Sequence, residues 1–570
     1  MSRPIRDPAF IIVGCVLFAY GASARETARI DGEQLLTNFQ RIFAPAELPP
    51  TLRDAASGPA KCATLLIREF GAQRDQLSSD EVQRIDAYLA PARGVASLEY
   101  QTEHFHIWYE LSGVNAVSPI DIAPANGVPD YVENIGAWAE ISWDHHVDAM
   151  GLSQPVPLGS KVEIAFREMS AYGYTDPLEG VARIVLHRSF EGFPANRDPE
   201  GSARGAAKVT VAHELEHACQ LAMSGWTEGT WLEADAVWAE DRVFDVVDDY
   251  LSFLGNGSPV SHPDAWAWNG PGYEDCLWER SLSESFGDAV ISEFFHHRAA
   301  HRSESVMQSY DAVLRAHGSS LAAALGTLSV WSQFCGANAA GRPEGFSEAD
   351  SYPTPPIHAQ LTGVPASATS SMSGMGSRYF LASASSIEGR PQLYVTGDAG
   401  RAYALHAIVL DRDGVRRVFS VPIAEGRSEI TEIPVEWPNI AFITIAVAAV
   451  DAIEAPAFTS VNLDTPVAVG VPQPEGKTRV ELAQNYPNPF RSGTTISFSL
   501  SRPSSVRLDV IDAAGRLVRT ITNESSLSAG QHQAFWDGVD DRGVRCAPGV
   551  YALRLQSPDE IASRKIHLLR

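Results

Sequence analysis

The pentapeptide His213-Glu214-Leu215-Glu216-His217 constrains this chain more than any other feature. Two histidines four residues apart lie on one face of a helix, about 6 Å apart along its axis, so both imidazoles can point at one ion. The preceding Val209-Thr210-Val211-Ala212 and the following Ala218 and Leu221 are mostly apolar, which predicts a helix buried against a core. Buried imidazoles need partners. Zinc fits this spacing: it lowers the pKa of bound water from about 15.7 to about 7, and the adjacent Glu214 can take the proton as the water attacks a peptide carbonyl. Two histidines on an ordinary charged surface helix remain the competing reading of the motif taken alone.

A second helix is predicted over Trp231-Leu232-Glu233-Ala234-Asp235-Ala236-Val237-Trp238-Ala239-Glu240-Asp241, with an acidic residue early in it. Glu233 and Glu240 stand seven residues, about two turns, apart on one face, so periodicity alone does not choose between them as a third ligand. The small neighbours Ala234 and Ala236 let the helix approach a metal at Glu233, whereas Glu240, flanked by Asp241 and Arg242, suits solvent or an outer supporting role. Peptide hydrolysis also needs a group that stabilises the tetrahedral oxyanion; Tyr273 and His262, in the Gly/Pro-rich stretch after this helix, are the candidates. Asp121, Asn126 and Asp130 could gather oxygens around Ca2+, although Asn126-Gly127 followed by Pro129 already reads as a turn. His145 and His146 read as surface residues.

Taken together, the His213–His217 motif and the Trp231–Asp241 helix resemble the gluzincin branch of zinc peptidases, in which a Glu from a following helix completes the site. The span from about 97 to 350 contains the strand His104–Tyr109, the stretch Asn126-Gly127-Val128-Pro129-Asp130-Tyr131-Val132-Glu133 and later Trp/Tyr-rich helices. It is similar to the MXAN-type family of secreted bacterial metalloproteases. The resemblance implies an α+β zincin-like peptidase domain, zinc as cofactor, His213, His217 and Glu233 as ligands, Glu214 as general base, and proteins or peptides as substrates. Glu233 resembles the ligand in a Trp-x-x-Glu-Gly-x-Ala pattern, with Ala234 in place of Gly. Position 237, one turn on, is Val, so the thermolysin-type support of the ligands is not reproduced there.

At 570 residues the chain exceeds what one hydrophobic core organises, and a multidomain architecture follows. Arg3 and Arg6, the apolar run Ala9–Tyr20 and Ala22-Ser23-Ala24 fit a signal peptide over 1–24, cut near Ala24. Residues 25–96 read as a helical N-terminal region or prodomain, with Ser78 and Glu81 forming a capping box before Val82, Ile85 and Leu89. The peptidase-like span, 97–350, includes a later apolar helix around Phe286 to Phe295. Pro353, Pro355 and Pro356 and the Ser/Gly-rich run to Ser377 read as a linker over 351–376. A β-sandwich is expected over 377–465, including Ile440–Val450 as a core strand, then a Pro-marked linker over 466–479 and a second sandwich over 480–570.

The last module resembles the immunoglobulin-like sorting domain of type IX secretion cargo and the FlgD-type sandwich. The resemblance rests on Asn485-Tyr486-Pro487-Asn488-Pro489-Phe490, Asp512-Ala513-Ala514-Gly515-Arg516, Trp536-Asp537-Gly538, Gly549-Val550-Tyr551 and the end Arg564 to Arg570. It implies secretion machinery as a partner and an extracellular or cell-surface location in a Gram-negative-type bacterium. A net charge of -26, from 70 acidic and 44 basic residues, disfavours nucleic acid as a partner. No stretch beyond the signal approaches the ~20 apolar residues of a membrane helix. Removing the signal leaves Cys62, Cys219, Cys276, Cys335 and Cys546, which permit at most two disulfides, and their sparse spacing argues against a cysteine-bound metal. The expected function is a secreted zinc metallopeptidase; the alternative is a non-catalytic surface or adhesion protein that retains a zincin fold.

Overall fold

The computed structural model describes residues 32–49, 52, 59–90, 98–178, 181–266, 272–383, 387–464 and 480–569, apart from single residues and short stretches within the last two ranges. The signal-peptide reading and the linker read over 466–479 lie outside the described residues.

Six strands form the sheet that positions the candidate site: β1 (Ala60–Cys62), β2 (Leu98–Gln101), β3 (Phe105–Tyr109), β4 (Val162–Arg167), β5 (Ala171–Leu178) and β6 (Val181–His187). Their order is β1-β5-β6-β4-β3-β2, with β3, β4 and β6 mutually parallel, β5 antiparallel to β6, and β1 parallel to β5. The alternation seen in the sequence sorts side chains by face. Phe105 and Ile107, Val162 and Ile164, and Ile184 and Leu186 pack into one core with Val211, Leu215 and Cys219 of a long helix. On the opposite face Ala171, Tyr174 and Val185 pack against Leu35, Phe39, Ile67, Phe70 and Ile85.

Those last residues come from α1 (Gly32–Phe43), α2 (Thr64–Gln73) and α3 (Ser79–Leu89), the helices expected in the N-terminal region. The Ser78–Glu81 capping box is formed as the sequence indicates. The region is not helical alone, however: β1 leaves it and joins the sheet at β5, where Ala60 N donates to Ser170 O at 2.9 Å and Ala63 N to Gly173 O at 3.0 Å. Three residues hold too little pattern for a strand to be read from sequence, and the pairing is long-range.

Helix α4 (Asp130–Trp143) lies beside the long helix α5 (Ser202–Ser224), which is followed by α6 (Trp231–Val243). From Gly205 to Gln220 every residue of α5 is buried, so it has no solvent face on which charged groups could rest. It stops at Gly225, whose φ of 68° is the left-handed conformation that closes helix ends, with its N–H bonded to Leu221 O. The apolar helix read around Phe286 to Phe295 is two helices, Cys276–Phe286 and Ala289–Ala300, interrupted at Gly287 with φ of 89°.

The stretch read as a linker over 351–376 contains strands Ala359–Thr362 and Ala366–Met372, so the Ser-rich segment is part of a sheet. Its alternation buries Ser370 and Met372, and Ser370 Oγ meets Thr459 Oγ1 at 2.9 Å, which is how a serine-rich strand satisfies itself in a core. Two sheets share one core here: Phe380, Leu405, Val409, Ile443, Ile445 and Val447 face Leu393, Val395, Val461 and Leu463. Ile440–Ala449 is a central strand, paired on both sides. A three-stranded and a four-stranded sheet follow from Val480, enclosing Ile496, Phe498, Leu508, Val510, Leu553, Leu555 and Trp536. No helix among the described residues is long and apolar enough to cross a membrane.

Candidate metal centre

Helix α5 carries His213 and His217 to the same point, their rings 4.6 Å apart between centroids and nearly perpendicular. From α6, Glu233 reaches the same point: its Oε2 is 3.2 Å from His213 Nε2 and its Oε1 is 3.5 Å from His217 Nε2. All three residues are at most 3% exposed. Neither contact has hydrogen-bond geometry, so both ring nitrogens and both carboxylate oxygens are buried without a hydrogen bond, facing only one another. Four convergent orphaned atoms are costly unless something else binds them. Ligand atoms about 2.0–2.1 Å from a tetrahedral zinc lie about 3.3–3.4 Å from one another, which matches these separations. The donor set therefore fits the ion that the spacing suggests.

The other ring nitrogens are held from behind. His213 Nδ1 donates to Glu240 Oε1 at 2.7 Å, and His217 Nδ1 to Gln220 Oε1 at 2.7 Å; Gln220 Nε2 in turn donates to Asp235 Oδ2 at 2.7 Å. Hydrogen bonds of this kind turn each Nε2 inward and fix ring orientation. The support that Val237 cannot supply thus comes from Glu240 and from the Gln220–Asp235 pair. Glu240 is buried, not turned to solvent, because Lys61 Nζ sits 2.9 Å from its Oε2 and also pairs with Asp249. Burial opposes a charged His213, yet Glu233 and Glu240 outweigh it and lift the imidazole to about 10. Burial likewise opposes a charged Glu233, but the histidines hold its carboxyl at about 2. Burial raises Asp235 to about 7 and pushes the neighbouring Glu216 upward as well.

Glu214 adjoins the cluster with its two oxygens in different states. Oε2 accepts from Thr64 Oγ1 at 3.0 Å and Thr175 Oγ1 at 2.9 Å, whereas Oε1 is buried and has no partner. Such a carboxylate is fixed at one oxygen and free to accept at the other. Gly173 of β5 makes room for it: a Cβ there would stand 2.7 Å from Thr210 Cγ2 and 3.1 Å from Glu214 Cγ.

Two further groups complete the surroundings. Tyr273 is brought in, its ring 6.3 Å from that of His213, and its hydroxyl accepts from Cys62 N at 3.0 Å and lies 3.3 Å from Cys62 O. Burial first, then the charge of Glu233, keeps its phenol protonated. His262 is not brought in; it stays exposed with Nδ1 3.1 Å from Ser261 Oγ. Cys62 is the residue that sequence reasoning missed. Donor atoms of Cys62, His213, His217 and Glu233 all lie within 4.8 Å of one another, so sparse cysteine spacing does not keep Cys62 away from the cluster. Cys62 and His213 lie 151 positions apart in the chain, and spacing rules capture only local ligand pairs. Cys62, Cys219, Cys276, Cys335 and Cys546 are all free thiols.

The turn reading of 121–130 accounts for its carboxylates. Asp121 accepts from Asn126 N and Gly127 N, and Asp130 Oδ1 from Ile122 N and Ala123 N. His146 is buried rather than on the surface, with Nε2 2.9 Å from Ala212 O, and burial holds its imidazole down at about 3; His145 is half-buried beside it. In this way His146 ties the stretch after α4 to the backbone of the His213 helix.

Residues 485–560 match the family model of the FlgD Ig-like domain. No curated protein matches the chain. Solved structures with partial similarity include PorZ, an essential surface component of the type-IX secretion system of Porphyromonas gingivalis. It is 19% identical over 29% of this chain and 22% of its own, with a TM-score of 0.13. Dimeric latent PorU from the same organism is 16% identical over 35% of this chain and 20% of its own, with a TM-score of 0.14. A DUF4785 family protein from Legionella pneumophila is 11% identical over 35% of this chain and 58% of its own, also at 0.14. The chain spans about a fifth of the length of PorZ and PorU.

Proposed function

We propose that this chain is a secreted, zinc-dependent peptidase whose zincin-like domain spans roughly residues 97–350. The observation that carries the reading is the set of buried, unpaired atoms, His213 Nε2, His217 Nε2 and the Glu233 oxygens, at tetrahedral ligand spacing beside an equally unpaired Glu214 Oε1. Bound there by His213, His217 and Glu233, zinc would supply a Lewis-acidic centre at which water loses a proton near neutral pH. Glu214, anchored through Oε2 by Thr64 and Thr175, accepts that proton at Oε1 and passes it to the leaving amine. Tyr273, kept neutral and already within reach of a backbone carbonyl, donates to the oxygen on which charge develops. Glu240 and Gln220 hold the imidazoles in one orientation. A site with ligands and base built on packed helices is pre-organised for the reaction.

The test is metal analysis of the purified chain together with peptide-library cleavage, with and without a chelator. One equivalent of zinc and chelator-sensitive cleavage are expected; a chain that takes up no zinc sinks the reading. A second reading, a non-catalytic surface or adhesion protein with a zincin-like fold, is favoured by Cys62, since four protein donors make a closed site of the structural kind. Metal uptake with no hydrolysis by any variant would select it.

The FlgD Ig-like module and the resemblance to type IX cargo support export to the cell surface or medium, with this module as the address. Deletion of 480–570 is expected to leave the protein in the periplasm of its host. Unchanged extracellular release would remove the sorting role.

A further inference from the structure

We infer that Cys62 is a fourth ligand of this centre and that residues 60–63 hold the enzyme latent; the inference rests on the metallopeptidase reading above. Four observations converge on this short segment. Cys62 offers its Sγ within 4.8 Å of the donor atoms of His213, His217 and Glu233, and it accepts the N–H of Thr64 at 3.2 Å, the bond by which a backbone amide stabilises a metal-bound thiolate. The unpartnered Nε2 and carboxylate atoms it faces are themselves buried and aim at one point. The backbone of 60–63 fills the edge of β5, the strand that lies against the Glu214 helix; an extended substrate would add to the sheet by pairing at that edge. Finally, the Tyr273 hydroxyl is spent on Cys62 N and O.

Sheet edge, oxyanion donor and the metal's fourth position are therefore all engaged by Ala60–Ala63. Lys61 locks the segment in place through buried pairs with Asp249 and Glu240, the latter being the carboxylate that orients His213. With a metal bound, Cys62 would hold it as a thiolate, its proton released to solvent, and withdrawal of the segment would return a proton to the sulfur and open the fourth position to water. A catalytic zinc needs that open position, so hydrolysis begins only when Cys62 withdraws.

The test uses the full chain loaded with cobalt(II), whose thiolate-to-metal charge-transfer absorption reports a sulfur ligand independently of activity. The wild-type chain is expected to bind one equivalent and show this absorption. Cys62→Ala and the more conservative Cys62→Ser should keep the metal, and Cys62→Ala should lose the absorption. With zinc, Cys62→Ala should cleave a generic peptide about tenfold faster or more, because a tethered donor competes at millimolar effective concentration. Cys276→Ser, at a buried cysteine outside the cluster, should keep the absorption. Bound cobalt without the absorption, or absorption that persists in Cys62→Ala, overturns this inference and leaves the metallopeptidase reading standing. A wild-type chain that binds neither metal overturns both.

Discussion

The helix pair carrying His213 and Glu233 and the C-terminal module from Val480 treat buried polar atoms in opposite ways. In the C-terminal module they are paired internally: Asn485 Nδ2 donates to Thr494 Oγ1 at 2.8 Å and Trp536 Nε1 to Val539 O at 2.9 Å. Asp509 accepts from Arg507, Thr520 and Arg554. Among its described residues only Arg554 Nε is buried without a partner. Around α5 and α6 the packing is just as tight, yet His213, His217, Glu214 and Glu233 all carry buried atoms without a hydrogen bond. A fold selected only for stability removes such atoms or pairs them. The contrast marks α5 and α6 as the place where buried donor atoms converge without hydrogen bonds.

The largest effect expected from this contrast is on Glu214→Gln. The amide keeps the shape and the bonds to Thr64 and Thr175 but cannot take a proton, so kcat should fall by about 10²–10⁴-fold while metal content stays at one equivalent. Near-wild-type turnover in the activated Glu214→Gln protein would break the assignment of base. Next, Trp536→Ala should destabilise the C-terminal module by about 3–5 kcal/mol, because this fully buried ring packs against Phe490 and Tyr551. Denaturant unfolding should show the loss in one transition, with zinc stoichiometry unchanged; coupled loss of zinc would show that the two regions are not energetically separate.

A sharper distinction lies within the site. Glu233→Ala removes the carboxylate that both Nε2 atoms face and should take zinc stoichiometry well below one. Glu240→Ala should weaken affinity by only about 10–100-fold, the usual cost of losing a group that orients a ligand from behind. Full metal in Glu233→Ala with loss in Glu240→Ala would reverse the roles. The smallest effect is expected for Asn485→Ala, about 1 kcal/mol on the C-terminal transition, since one neutral hydrogen bond is lost from an otherwise satisfied module.

Much of this organisation could be read before the structure. The Ser78 cap, the alternation of β3 and of Ile496–Leu500, and the histidines one turn apart depend on neighbours within a few residues, where periodicity and capping chemistry are strong. Errors came where pairing partners are distant. The Ser-rich stretch after Gly363 looks like a linker until Thr459 and its strand supply the other half of a sheet. The choice between Glu233 and Glu240 rested on the small residues beside Glu233, and in the structure both Glu233 oxygens face the imidazoles. What Glu240 does instead was open, because one helical face holds both residues and only the placement of α6 against α5 decides which end meets Nε2 and which meets Nδ1.

By itself, then, the sequence determined the helix with both histidines on one face, the glutamate beside them, the multidomain order and the hydrophobic alternation of the sandwiches, since each is a pattern written within one element. Only the tertiary structure decided what those elements face. It placed Tyr273 rather than His262 at the cluster, gave His213 and His217 their supports in Glu240 and Gln220, and threaded Ala60–Cys62 into the sheet so that Cys62 meets residues more than 150 positions away. The physical reason is that a donor set is a property of distances in space. Chain separation limits those distances only for neighbours, and the long-range pairing of β1 with β5 has no local signature.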